Sequence, residues 1–401
     1  MYRWVVEALL FLIYFAFGIS WLAYSPLMGD LEKHFSVSHA QAGMLISLVS
    51  ISKAFVPLLA GLLAARIGLR YALLVGAGLS ALAALAPLAP NFDTLLAVRV
   101  IFGIGGAIVV TLMGPMVMSW FPRNELPMVN GLNNVAVNSG ITFAMFSTVG
   151  LAGNFGWQPT LVAFGAVSGL LALAWAIFGR NAGDEAAAKK AVGERATLGE
   201  VCARRETWLI ALAFSGPLSL YLALNTWLPT HYQLAFGLSK QAASQLTGLF
   251  NLVGIPVAVM AGWVTGRLGL RRPLIVLAGL LMPISAFGLF GSPDATVRVV
   301  SAVFLGASFF LYVSPLFTIP MELEGMTPSR VALMMGVVFS VAYVVSFLSP
   351  LVVGWLKDNT GSFTAGLGVF AVLSASLAVG GLLLPETGPA RAVRLEAVPA
   401  R

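Results

Sequence analysis

Charge is what this chain has least of. Only 10% of its 401 residues are Asp, Glu, Lys or Arg, where a soluble protein needs roughly 25% to cover its surface. That shortage excludes an ordinary soluble domain. Cysteine is nearly missing too: Cys202 stands alone, so no internal disulfide can form, and its charged loop marks it as a free cytosolic thiol. The three histidines, His34, His39 and His231, lie near the outer surface and are too scattered to build a metal site. The glycine cluster Gly103–Gly106 sits inside an apolar run rather than at a strand-to-helix turn, so it is no dinucleotide site. With no nucleophile constellation either, neither an enzyme, a cofactor nor a metal is expected.

Apolar residues are abundant, at 59% of the chain, and they come in blocks of about 20, the length that spans a bilayer. Twelve such blocks fall near 8–28, 41–65, 71–90, 94–119, 128–151, 159–179, 206–231, 241–266, 273–290, 295–320, 330–355 and 362–384. The first is not a cleavable signal: it runs into Trp21–Asp30 without a small-residue cleavage site, and eleven more follow. An all-α membrane protein of twelve transmembrane helices is therefore expected.

The net charge of +7 reports topology rather than a nucleic-acid partner. Of the 23 basic residues, 17 fall on segments of one side, 3 (Lys33, Lys240, Lys357) on the other, and 3 (Lys53, Arg99, Arg298) inside spans. The positive-inside rule then places both termini in the cytoplasm, in a multi-pass protein of a bacterial inner (plasma) membrane.

The chain reads as residues 1–180 and 206–385, two six-helix bundles, joined by a polar cytoplasmic linker at 181–205 and ending in a tail at 386–401. Gly61, Arg66, Gly68 and Arg70 recur as Gly262, Arg267, Gly269 and Arg271 at a shift of 201, and Pro115 recurs as Pro315 at a shift of 200. Pro57 sits close to the register of Pro256. A mid-span proline frees a carbonyl and kinks the helix at a cost, so its recurrence marks structural repeats. Parallel six-helix repeats with a site at their interface near the midplane are a known membrane-carrier design.

The segment from Gly61 through Arg66 and Gly68 to Arg70 resembles the loop that the major facilitator superfamily places between helices two and three. Gly262 through Arg267, Gly269 and Arg271 resembles its second copy, and Arg99-Val-Ile-Phe-Gly103-Ile-Gly105-Gly106 resembles the helix-four motif. The resemblance covers nearly the whole chain. It implies two pseudo-symmetric bundles that rock about a central substrate, with the loop copies forming a cytoplasmic gate. It also implies that Arg99 supports coupling or holds the backbone of helix one. Ala65 and Gly266 stand where the family usually has an acid, which leaves the gate latch in question unless the arginines bind helix C-terminal carbonyls instead. Helix five lacks the proline of proton–drug antiporters. With Asn154-Phe-Gly-Trp157, it resembles the nitrate, cyanate and small organic anion branches.

Lys53 is the most informative residue, since an ammonium inside a span is expensive unless paired or hydrated. All 16 acids fall in loops, tails or span edges, Glu7 among them, so none is expected at its depth. Either Lys53 is neutral at rest or its counter-ion comes from outside, and an anion-binding role competes with a structural one. Asn251 lies one turn from the symmetry-related Gly254, while Asn134 and Asn138 share a face of helix five. Tyr343, Tyr312, Asn225, Tyr24 and Tyr14 could add donors, although helix–helix hydrogen bonding would use the same groups. Trp21, Tyr24 and Phe146 are candidates for an outer gate.

The expected activity is alternating-access transport of a small anion, a monocarboxylate or inorganic oxyanion, by proton symport or anion exchange. The expected partners are that small-molecule substrate and the lipid bilayer, and the expected state a monomer. The alternatives are an exporter of lipophilic or cationic compounds, which would need a buried acid, and a transporter-like sensor, for which the linker and tail are short.

Overall fold

The computed structural model describes residues 2–122, 125–182 and 197–388, without the side chains of Leu58, Pro127, Asn130, Asn134, Pro328 and Ser329. Among the described residues there is no strand, and twelve helices are long and apolar enough to cross a membrane. Spans one to six are Tyr2–Leu22 (continued through a turn by Met28–Phe35), His39–Ile67, Leu69–Ala81 (continued by two short turns), Phe92–Trp120, Leu126–Phe155 and Trp157–Phe178. Spans seven to twelve are Arg205–Phe236, Lys240–Leu268, Arg272–Gly291, Ala295–Leu311 with Val313–Glu322, Pro328–Thr360, and Thr364–Leu373 with Ser376–Leu383. The short helix Leu198–Cys202 precedes span seven. Below, the side bearing the span two–three and eight–nine loops is called the basic face.

Several span ends depart from the apolar blocks. Span one starts at Tyr2 rather than near residue 8, because its first turns handle charge by pairing and burial: Arg3 meets Glu125 at 3.1 Å and Glu7 turns inward. Span eleven extends to Thr360, where Gly361 closes it at φ 74°. The repeated prolines also behave differently. Pro115 lies inside unbroken span four. Pro315 instead follows a break at Tyr312 and stands in the first turn of the resumed helix, where its missing amide has no intrahelical bond to lose.

The two loop copies turn on glycine for a shared reason. Gly68 at φ 82° and Gly269 at φ 60° take backbone conformations that a Cβ strains. The arginines beyond them brace the start of the next span. Arg70 donates to the Ala176 carbonyl at the end of span six at 2.8 Å, and its amide donates to Asn181 Oδ1. Arg271 binds Glu322 at 2.6 Å, so span ten supplies the acid that the loop itself lacks. Glu386, assigned from the sequence to the tail, accepts from the amides of Arg271 and Arg272 at the start of span nine.

The halves meet through span two on span eleven and span five on span eight, pairs that a two-fold axis would interchange. Their links concentrate away from the basic face. Span two starts with a capping box of Ser38 and Gln41. Asp358 of span eleven then accepts from the amides of His39 (3.2 Å) and Ala40 (3.0 Å), with His39 Nδ1 2.7 Å from Oδ1. Lys240 meets Asp30 at 2.5 Å, and Ser244 donates to the Met145 carbonyl. Pro229 has no amide to offer the Asn225 carbonyl four residues back; Ser25 of the other half donates to it instead. Near the midplane, Ser340 donates to the Ala54 carbonyl at 2.7 Å. Among the described residues, no hydrogen bond or ion pair joins the two bundles on the basic face.

Asp358 is thus a capping residue supplied across the interface. Asp358→Ala should lower the stability of the purified protein by about 1–2 kcal/mol, the usual worth of a lost cap. Thermal unfolding in detergent measures this, and Asp358→Asn, which keeps one acceptor oxygen, should lose less.

Candidate functional site

Lys53 is 4% exposed and makes no hydrogen bond or ion pair with any described residue. Rings surround its Nζ instead. Trp21 is 3.9 Å away at its centroid, Phe17 5.0 Å, Tyr343 5.6 Å and Tyr14 6.0 Å. Three of the rings come from span one and the fourth from span eleven, so the cage spans both halves. Cation–π contact is worth about 2 kcal/mol when desolvated, but burying an ion costs several. The rings therefore orient an ammonium without fully compensating it.

The helix-four motif builds this cage. Gly106 lies where a Cβ would come within 1.8 Å of the Phe17 ring, so only glycine lets Phe17 settle against span four beside Lys53. Arg99 is fully buried and donates to the carbonyls of Leu45 (2.9 Å), Ser20 (2.8 Å) and Trp21 (2.8 Å). The last two are orphan carbonyls at the end of span one. Arg99 thereby fixes the backbone that carries Trp21 and ties spans one, two and four together. Tyr24 stacks on Arg99 at 4.4 Å rather than joining the cage.

A second cluster lies on the facing helices. Tyr221 Oη stands 3.0 Å from Asn138 Oδ1 and 2.7 Å from Asn251 Oδ1. A phenol has one proton to donate, so it can serve only one of them. Asn251 donates through Nδ2 to Asn225 Oδ1 at 2.8 Å, which turns its own oxygen toward Tyr221. Asn225 in turn donates to the Tyr221 carbonyl at 2.9 Å. Tyr343 of the cage comes from the same bundle as Tyr221, Asn225 and Asn251.

The structure thus brings Lys53 and Tyr343 together, gathers Asn138, Asn251 and Asn225 around Tyr221, buries Tyr312, leaves Tyr24 beside Arg99, and does not describe the Asn134 side chain. Among the loop residues, Arg66 is exposed and Arg267 stacks on Trp263 at 4.2 Å. Gly61 and Gly262 are also exposed.

Four side chains are more deeply buried than the sequence suggests. Trp21, a candidate for the outer gate, is buried on Lys53. His231 is buried, with Nε2 2.8 Å from the Phe290 carbonyl. Arg298 is 5% exposed and donates to the carbonyls of Ser292 and Pro293 in the loop before span ten. Glu7 is not at a span edge but 3% exposed within span one. Tyr221 was missed altogether, although it stands one helical turn before Asn225.

The family model described as Major Facilitator Superfamily matches residues 10–325. The chain belongs to that superfamily. The hexuronate transporter of Bacillus subtilis is 24% identical, over 86% of this chain and 87% of its own length. The probable L-galactonate transporter of Escherichia coli is 26% identical, over 93% and 88%. The inward open structure of the xylose transporter XylE from E. coli shares the fold at a TM-score of 0.76 with 15% identity, covering 98% of this chain and 99% of that one. Family and fold are those of multi-pass membrane transporters.

Arg99 is a brace whose geometry a lysine cannot copy, having one nitrogen where the guanidinium spans three carbonyls. Arg99→Lys should therefore cost at least about 2 kcal/mol of stability. It should also disturb the Trp21 environment, which tryptophan fluorescence would report against a Tyr24→Phe control.

Proposed function

We propose that this superfamily member is a secondary carrier for a small organic anion. The observation that carries the reading is Lys53, buried in an aromatic cage between the halves with no counter-ion among the described residues. A carboxylate arriving beside Nζ would supply the missing charge. The Asn138–Tyr221–Asn251–Asn225 cluster would then orient the polar remainder of the substrate. The names of the two relatives, transporters of hexuronate and of L-galactonate, favour a carboxylate bearing hydroxyls over an inorganic oxyanion. The exporter alternative needs a buried acid; Glu7 is one, but it lies outside the Lys53 cage, and among the described residues no acid pairs with Lys53.

In this account the halves rock about the bound anion. Links at the end away from the basic face close one entrance, and among the described residues none joins the bundles on the basic face. The positive-inside rule assigns the basic face and both termini to the cytoplasm of a bacterial inner membrane, which makes the conformation inward-facing. Residues 181–205 then form the cytoplasmic linker between bundles 1–180 and 206–385, with the tail after 386. A single bundle pair contains the whole site, consistent with a monomer.

Glucuronate at a hundred times its dissociation constant should stabilise the parent by about 2.7 kcal/mol through mass action. Lys53→Ala should show no such shift. Stabilisation of both proteins by a lipophilic cation such as tetraphenylphosphonium, with no effect of the acid, would favour the exporter instead. For topology, Cys202 is a natural probe, being free and partly exposed. In intact cells it should react with a membrane-permeant maleimide and not with an impermeant one. A cysteine placed at exposed Ser362 in a Cys202→Ser background should react with both.

A further inference from the structure

Glu7 is a buried carboxyl that the substrate site does not use. It is 3% exposed, and its nearest hydrogen-bonding partner, Asn133 Nδ2 of span five, is 3.4 Å from Oε2. Oε1 is buried with no partner. No cation lies within ion-pair distance among the described residues. Arg3, one turn earlier on the same helix, is engaged by Glu125 at the start of span five. Arg180, after span six, stacks on Tyr2 at 4.5 Å. Span two carries Lys53 in its cage and exposed Arg66, and span four carries Asp93 and Arg99 in the half away from the basic face. Span six has no charged residue between Trp157 and Phe178.

An ionised carboxylate in such a place would cost several kcal/mol with nothing to offset it. A carboxylic acid there would lack only one modest hydrogen bond. Position adds a second argument. Glu7, Tyr14 and Trp21 are seven residues apart, which puts them on one stripe of span one. Tyr14 and Trp21 are two walls of the Lys53 cage. Glu7 therefore sits about 10 Å below Tyr14, between the cage and the face that lacks cross-links.

We propose that Glu7 is the proton-binding group of the transport cycle, loaded in the conformation seen here and unloaded toward the basic face. The inference rests on the carrier reading and chooses symport over exchange. One proton enters with each anion, resides on the Glu7 carboxyl, and leaves to water on the basic face. The carboxylate so formed is reprotonated from the other side after the empty carrier turns over. Lys53 and Glu7 then divide the work, the first meeting the anion and the second the proton.

The test uses the full chain reconstituted in liposomes, parent and Glu7→Gln, with radiolabelled glucuronate as probe. The parent should accumulate glucuronate against its gradient when the outside is acidic, and should also exchange it at equal pH. Glu7→Gln should keep the exchange and bring glucuronate only to its equilibrium level under the pH gradient. Accumulation by the variant equal to that of the parent would overturn the proposal.

Failure of the parent to exchange any of glucuronate, galactonate or gluconate would instead count against the carrier reading, and Glu7 is then decided by infrared spectroscopy of the purified proteins. A protonated carboxylic carbonyl band in the parent, absent from Glu7→Gln, supports the assignment. Identical spectra contradict it. Thermal unfolding of both proteins shows that the variant is folded, and Glu7→Asp should retain some gradient-driven accumulation.

Discussion

A cation taken out of water must be compensated, and the two cations at the centre of this protein are compensated in opposite ways. Arg99 satisfies its guanidinium with three carbonyls from two spans, and so becomes part of the frame. Lys53 receives only ring faces. On the proposed reading, the desolvation cost that remains is a requirement for negative charge at the interface of the two bundles. Binding energy spent there is energy a substrate can contribute and the protein cannot. The frame and the requirement are coupled, because Arg99 holds the end of span one that sets Trp21 over Nζ.

The wider architecture places that requirement where it is useful. Spans two and eleven pack as spans five and eight do, so one pseudo-symmetry operation relates both halves of the interface. The cage belongs mainly to one bundle and the amide–phenol cluster mainly to the other. Tyr343 contributes to the cage from the second bundle, and Asn138 to the cluster from the first. A ligand touching both clusters would report on their separation, which is what alternating access needs. The latch formed by Asp358, Lys240 and Ser25 depends on helix-terminal groups and on the carbonyl that Pro229 frees, and such contacts can be exchanged at modest cost.

Much of this was legible in the sequence, for physical reasons that also mark the limit. A bilayer demands long apolar blocks, so the spans could be counted, and the positive φ at Gly68 and Gly269 explains why the loop motif repeats with glycine. Lys53 could be singled out because a charge inside an apolar block has a cost visible from neighbours alone. Glu7 could not, because averaged hydropathy rejects the first turns of span one, whereas the fold resolves Arg3 by pairing and Glu7 by burial. Tyr221 carries no pattern of its own, and its partners come from spans five and eight. The pairing of Arg271 with Glu322 crosses 51 residues and depends on where span ten ends. The equivalence of Pro115 and Pro315 held in register but not in geometry, since helix continuity there depends on local hydrogen bonding.

The measurement that bears most directly on the central claim is a structure of the carrier with glucuronate bound. The account predicts a carboxylate about 3 Å from Lys53 Nζ, inside the ring cage. It also predicts hydroxyls meeting the Asn138–Tyr221–Asn251 cluster. Ligand density elsewhere, with Lys53 still unpaired among its rings, would contradict it.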